Sequence, residues 1–520
     1  MSANEQSKMG RHMLVVTTGI LLSKCLGLAR DVVFAYVWGT GTALAAFILA
    51  FTIPNLLRAL LGEGAFNAAF VPMLNEKLGV GKKQEAREMA SRVFSVVALV
   101  LVGIVIVLTI LALVGRAVAP NELARLTFEM LPWVLPYAIL ICLAAGLASI
   151  LNSVGKFAVP AFSPTVLNIC FIAAALGLAP LVADGEYMGV FALVLAVPAA
   201  GLLQMLINWG AVLKGGWNLR FRPAWKEPAV QRFGRLLAPI MVGAGVVQLN
   251  VVVDKLLAGY LGSVATTTLY YSQRLVYLPV GLFGVAMSTV CLPAMSRAWA
   301  RNDRGEIARS LRFSLNQVLF LAIPSAVGLA VLRAPIIRLL FERGTFGPDA
   351  TAETAWTLLF YLIGIPAFVA AKVATTPYHA RQDTKTPVKI AGACLALNVV
   401  LNLVLMQFLR QGGLALATSI CSWVNVSLLL LLAGRSVGNI QFSKLIMPTG
   451  KVLLAATAAG VVMHYTLGIA TAFKLTGLGG KMMDVLLPLT AGGVTYLAAT
   501  FLTGCGQLRQ TFREKYLAGF

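Results

Sequence analysis

Charge is scarce in this chain of 520 residues, and acid is scarcest: 20 Asp and Glu stand against 42 Lys and Arg, together 12% of the sequence. A soluble domain carries roughly a quarter of its residues charged. With 59% hydrophobic residues and a mean hydropathy of +0.84, this chain cannot cover itself with polar surface. The shortage excludes a water-soluble globular domain and requires lipid as solvent. Histidine is nearly absent, and His12, His379 and His464 lie too far apart to suggest a ligand set. The seven cysteines, Cys25, Cys142, Cys170, Cys291, Cys394, Cys421 and Cys505, are odd in number and widely spaced. Nearly all sit in apolar runs, where the thiol acts as a small hydrophobe, so no disulfide framework or metal motif follows. No phosphate-binding glycine loop, catalytic triad or metal signature is present, and neither an enzyme nor a cofactor is expected. No stretch alternates apolar and polar as a barrel strand does.

What the chain does have is apolar sequence in long runs. A membrane helix needs about twenty predominantly apolar residues. About fourteen segments meet that length, the first eight over 13–38, 43–73, 91–118, 127–152, 159–181, 187–213, 234–261 and 266–296. The remaining six cover 311–333, 353–379, 386–409, 412–434, 445–468 and 482–504. The fold class expected is an all-α polytopic membrane protein of about fourteen transmembrane helices. The polar start with Lys8 and Arg11 resembles the opening of a signal peptide, but the apolar run continues past Leu22 without a small-residue cleavage site. It is expected to persist as the first helix.

Basic residues concentrate in alternate connections: Lys77, Lys82, Lys83 and Arg87; Lys214, Arg220, Arg222 and Lys226; Arg297, Arg301 and Arg304; Arg381, Lys385 and Lys389. By the positive-inside rule these face the cytoplasm, and an even helix number then places both termini there. The net charge of +22 is explained by anionic headgroups beside these loops, and no basic soluble domain exists to hold a nucleic acid.

The chain also repeats itself. Asp31-Val-Val-Phe-Ala-Tyr-Val-Trp-Gly returns loosely as Asp254-Lys-Leu-Leu-Ala-Gly-Tyr-Leu-Gly, and Phe70-Val-Pro72 parallels Cys291-Leu-Pro293 at an offset of about 220 residues. The expected organisation is a tail over 1–12, an N-lobe of six helices over 13–213 and a linker over 214–233. A C-lobe of six helices over 234–434, two further helices over 435–505 and a tail over 506–520 complete it. Parallel repeats place a substrate site where the halves meet.

Six cations interrupt the apolar segments: Lys24, Arg30, Arg58, Lys255, Arg274 and Lys372. Each costs about 2.5–3.5 kcal/mol at a helix centre, so they must face water, a partner or a ligand. In the first segment Ser23 and Arg30 share one helical face, while Lys24 and Asp31 share the next. A plain alternative has Arg30 and Asp31 anchoring a helix end or pairing within the protein. In the second, Pro54 opens the helix ahead of Asn55 and Arg58, and Glu63, between two glycines, is expected to pair with a cation as gate or fixed partner. In the eighth, Tyr270, Gln273, Arg274 and Tyr277 form a stripe with Gly281 and Gly284 below it. Arg suits bidentate phosphate recognition and Lys acts as a point charge, so such a cavity selects an anion, most naturally a diphosphate. A second cluster, Asp254, Asn398, Asn402 and Thr418, offers oxygen ligands for a sodium ion. Helix–helix hydrogen bonding is the commoner explanation of such a cluster.

Several of these segments, taken in order, resemble the MurJ (MviN) family of lipid II flippases in the multidrug/oligosaccharidyl-lipid/polysaccharide exporter superfamily. They are Leu26-Gly-Leu-Ala-Arg-Asp31, Pro54-Asn-Leu-Leu-Arg58, Glu63-Gly-Ala-Phe66, Ala69-Phe-Val-Pro72, Asn152 to Pro164, Tyr270-Tyr271 with Arg274-Leu275, and Arg381-Gln-Asp-Thr-Lys-Thr-Pro-Val-Lys389. The resemblance implies alternating access by a transporter whose central cationic cavity receives the diphosphate-sugar headgroup of lipid II or a related polyprenyl-diphosphate glycolipid. It carries diphosphate binding onto Arg30, Arg58 and Arg274, with Lys24 standing where the family typically has Arg. Ala45, Ala59, Gln273 and Tyr277 depart from positions that can be charged in relatives. The last two helices would form a groove for the polyprenyl tail. Membrane lipids and cell-wall synthesis proteins are the implied partners, and Na+ or the membrane potential the implied coupling force. Two negative charges leaving an inside-negative cell gain roughly 4–5 kcal/mol per 100 mV.

The rival readings are a flippase for another polyprenyl-diphosphate-linked oligosaccharide, a cation-coupled drug antiporter and a non-transporting membrane scaffold. The antiporter would want acidic cavity residues, and the scaffold gives no reason to keep cations in mid-membrane.

Overall fold

A computed structural model describes residues 3–62, 65–181, 186–438, 440–473 and 475–504. Among these every regular element is a helix, as a chain surrounded by lipid must satisfy its backbone within each segment. The first helix, α1, runs from Ala3 to Trp38. Next, α2 (Thr42–Leu57) passes into a wide π turn, Arg58–Gly62, with a further helix over Ala65–Gly79. Then come α3 (Lys83–Ala117), a short helix over Glu122–Val134, α4 (Pro136–Ser153), α5 (Ala158–Leu181), α6 (Tyr187–Lys214) and α7 (Pro228–Leu261).

The later helices are α8 (Ser263–Ala300), α9 (Arg304–Leu340), α10 (Pro348–Leu362 and Ile365–Ala380, bent by 42°), α11 (Lys385–Leu409) and α12 (Gln411–Arg435). Two more, α13 (Ser443–Ala472) and α14 (Gly477–Leu502), close the series. Twelve of the described helices are long and apolar enough to cross a bilayer, and thirteen when the bent α10 counts as one span. The remaining expected segment is α1, long enough to cross but interrupted by Lys24, Arg30 and Asp31.

The helices group into two compact units that divide between Thr267 and Thr268. Helix α7, expected to open the second half, packs on α2, α3 and the 65–79 helix of the first unit. The reason is aromatic. Phe233 of α7 lies 5.1 Å from Phe66, ring centre to ring centre, in a core with Phe70, Phe94 and the fully buried Trp217. Nearby, Gly146 of α4 lets these rings close in, since a Cβ there would stand 2.7 Å from Phe94. The connection after α6 lies extended along α3: the amides of Arg220 and Arg222 donate to the Ser91 and Ser95 hydroxyls at 3.1 and 2.8 Å. Arg92 holds Glu227 at its far end.

In the second unit α13 and α14 pair and lean on α9. The Tyr496 hydroxyl donates to the Phe320 carbonyl at 2.6 Å, and Gly460 faces Val327 at a distance that a Cβ would reduce to 2.7 Å. Between α10 and α11, outside the bilayer segments, Arg381 grips Asp383 at 2.6 Å while the Thr386 amide donates to the same carboxylate at 3.0 Å. Burial pushes the Asp383 carboxyl up, but the Thr386 amide and hydroxyl and the Arg381 guanidinium outweigh it and hold it at about 2. The 381–389 motif is thus a helix start tied to its own loop.

Candidate functional site

In the first unit the Arg30 guanidinium is buried and fully engaged. Its Nε and one terminal nitrogen donate to Asp31 Oδ1 at 3.0 and 2.7 Å, and the other terminal nitrogen donates to Asn168 Oδ1 at 3.0 Å. Asn168 in turn donates to the Ser23 carbonyl at 3.1 Å, so one chain of bonds ties α1 to α5. The guanidinium also stands 5.6 Å from the Phe34 ring centre and 5.7 Å from that of Phe171. Stripped of water, a charge is tolerable only when paired and bonded this way, with the ring faces adding attraction. Lys24, six residues before Arg30, is exposed.

Arg58 is placed by a local break. Pro54 cannot donate to the turn before it, and four residues on, the helix widens into the π turn at Arg58–Gly62. Arg58 Nε donates to Asn55 Oδ1 at 2.9 Å, one helical turn back. The side chain lines a cavity of about 280 Å³ with Asn67, Asn152, Ser163, Gln204 and Asn208. Glu63, expected to pair here, lies outside the described residues. Further along α7, Asp254 is buried, and Lys255 Nζ donates to Thr52 Oγ1 at 3.0 Å on the edge of an apolar cavity of about 470 Å³.

The second unit carries the aromatic stripe. Arg274 stands 4.6 Å over the Tyr270 ring, and Gln273 donates to the Tyr361 hydroxyl of α10 at 3.0 Å. Tyr277 is exposed, as is Lys372. Just beyond, Val280–Val285 forms another π turn, about 220 residues after the one at Arg58–Gly62 and so at the matching place in the sequence repeat. Wide turns of this kind mark functional positions in helices. Gly284 is pressed against α10, where a Cβ would meet the Val369 carbonyl at 3.2 Å.

The polar cluster on α11 and α12 is linked by a run of hydrogen bonds. Asn402 donates to Asn398 Oδ1 at 2.8 Å, Asn398 to Thr418 Oγ1 at 3.5 Å, and Thr418 to the Leu414 carbonyl at 3.0 Å. Three of the four residues expected around a sodium ion are therefore adjacent, and the fourth, Asp254, belongs to the first unit. Asn168, Gln204 and Asn208 went unread in the sequence: an amide inside an apolar helix is ordinarily helix-to-helix glue. Their signal was the spacing of four between Gln204 and Asn208, the period of one helix face.

The family model for the lipid II flippase MurJ matches residues 34–478. The chain belongs to the MurJ family. A probable lipid II flippase MurJ of Vibrio cholerae is 36% identical over 433 residues, covering 80% of this chain and 81% of that protein. The lipid II flippase MurJ of Burkholderia cenocepacia is 32% identical over 94% of this chain and 96% of its own length. Among solved structures, a lipid II flippase MurJ in an inward closed conformation matches with a TM-score of 0.78 and 28% identity, over 94% of this chain and 98% of that one. A multidrug resistance MATE family transporter of the MOP superfamily, in an inward-facing conformation, shares the fold at a TM-score of 0.68 and 14% identity. MurJ proteins are transporters, so the protein is a multi-pass carrier and not an enzyme.

Proposed function

We propose that the protein flips lipid II, the undecaprenyl-diphosphate-linked peptidoglycan precursor, from the cytoplasmic to the periplasmic leaflet of the bacterial inner membrane. The observation that carries this reading is the family match over 34–478, in a chain that keeps arginine at 30, 58 and 274 inside apolar helices. Transport by alternating access would bring the diphosphate to these cations, with Lys24 as a further point charge. Arg58 bonds Asn55 and Arg274 stands over Tyr270, each a neighbour on its own helix. The pairing of Arg30 with Asp31 makes the carboxylate and a substrate phosphate competitors for one guanidinium. Asp31 then acts as the resting counter-ion, and substrate arrival frees it.

The membrane potential, or Na+, is the coupling force in this reading, and both termini face the cytoplasm. The groove beside α13 and α14 receives the polyprenyl tail. Complementation tests the proposal: a strain whose own lipid II flippase can be shut off receives the wild type, Arg58→Ala or Arg274→Ala at equal membrane levels. Growth with the wild type and lysis with both variants is the expected result. Lysis with all three would redirect the substrate to another polyprenyl-diphosphate glycan.

A further inference from the structure

We propose that the 280 Å³ cavity of the first unit is a subsite that reads a neutral, N-acetylated sugar ring; this rests on the flippase reading above. The cavity lies among the π turn after α2 and helices α4, α5 and α6. Apart from Arg58, every polar side chain on its wall among the described residues is a neutral amide or hydroxyl. Such a wall cannot favour a second anion over a neutral group, but it supplies donors and acceptors in equal measure.

Two wall residues are left incomplete by the protein. Gln204, 2% exposed, has no partner for Nε2, and Asn208, 1% exposed, has none for Oδ1. Asn208 spends its own amide hydrogens on Ser163 Oγ at 3.0 Å and the Gln204 carbonyl at 2.8 Å, which fixes the side chain and leaves the acceptor over. A buried donor or acceptor without a partner is unfavourable and asks for a polar occupant. One unfilled donor beside one unfilled acceptor matches an acetamido group, whose carbonyl accepts and whose N–H donates. Tyr137 and Pro164 add flat apolar faces on the same wall, suited to the C–H face of a pyranose.

The volume sits at the low end for small-ligand sites, room for one sugar ring and not a longer glycan. Arg58 stands on the same wall, so a phosphate held there would present the sugar attached to it to the amides.

The test uses the full-length protein in lipid nanodiscs, with lipid II and sugar-free undecaprenyl diphosphate as probes and native mass spectrometry as the readout. Variants are Asn208→Leu and Gln204→Leu, which remove the amides, and Ala148→Leu, which shrinks the cavity without touching a polar group. The wild type should bind lipid II more tightly than undecaprenyl diphosphate. Each variant should lose about tenfold for lipid II and nothing for undecaprenyl diphosphate, whose unchanged binding also certifies the fold. Wild-type affinity for both probes in all three variants would overturn the proposal and leave a cavity of water only. Equal loss of both probes in all three overturns it as well, since the sugar would then not be what is read. Binding of neither probe by the wild type is a separate failure, that of the flippase reading itself.

Discussion

Arg30 and Asp31 are neighbours in sequence and partners in space, and much of the protein's electrostatic logic is visible in that pair. A buried guanidinium without its carboxylate is worse than no charge at all. Asp31→Ala should therefore destabilise the protein by about 3–5 kcal/mol, and replacing both residues by apolar ones should recover most of that. Thermal unfolding in detergent reads both. The adjacency was legible in the sequence, as was the Asn55–Arg58 spacing of three. Asn168 was not, because it lies 138 residues from Arg30 and nothing local singles it out. Asp383 acts outside the bilayer with a definite sign. Its folded-state carboxyl is held at about 2, below the usual 3.8, so it contributes stability at neutral pH and loses that contribution only as pH falls from about 4 toward 2. Asp383→Asn should flatten this limb of the stability profile, and acid titration followed by tryptophan fluorescence checks it.

At the scale of elements, the breaks carry more information than the helices. Prolines 54 and 279 each precede a π turn; Pro54 was readable as an interruption, whereas Pro279 and the width of both turns were not. Glycine placement was readable in part. The stripe through Gly281 and Gly284 foretold a close helix contact, and Gly284 meets the α10 backbone there. Because a carbonyl cannot swing aside as a side chain can, Gly284→Val should cost about 1–3 kcal/mol through overpacking. Gly284→Ala, asking for a shift of tenths of an ångström, should cost far less. A thermal-shift comparison of the two separates crowding from a general loss of glycine flexibility. The sodium cluster shows where pattern reading stops: Asn398 and Asn402 share a face in any helix, but whether they hold an ion or each other depends on α12, which helical spacing cannot place.

At the scale of the molecule, composition alone dictated lipid as solvent, and the number of apolar runs follows from bilayer thickness. The repeat reading rests on matching motifs that recur at an offset of about 220 residues. The allegiance of α7 was not, since it depends on Phe233 finding Phe66 and Phe94 across more than a hundred residues of chain. The charge asymmetry makes one global prediction. Val80→Cys and Val118→Cys, both well exposed, should react oppositely with a membrane-impermeant thiol reagent. In intact cells position 118 is labelled, and position 80 only after permeabilisation; the reverse pattern would invert the whole topology.

The strap after α6 has a consequence in time as well as in space. An extended segment beside a membrane ordinarily exchanges its amide hydrogens with solvent almost at once, but here Arg220 and Arg222 are tethered to Ser91 and Ser95. Protection along this stretch should therefore alternate residue by residue, slow at the tethered amides and fast between them. A beat of two, where helices around it protect continuously, would report the strap's detachment before any helix moved.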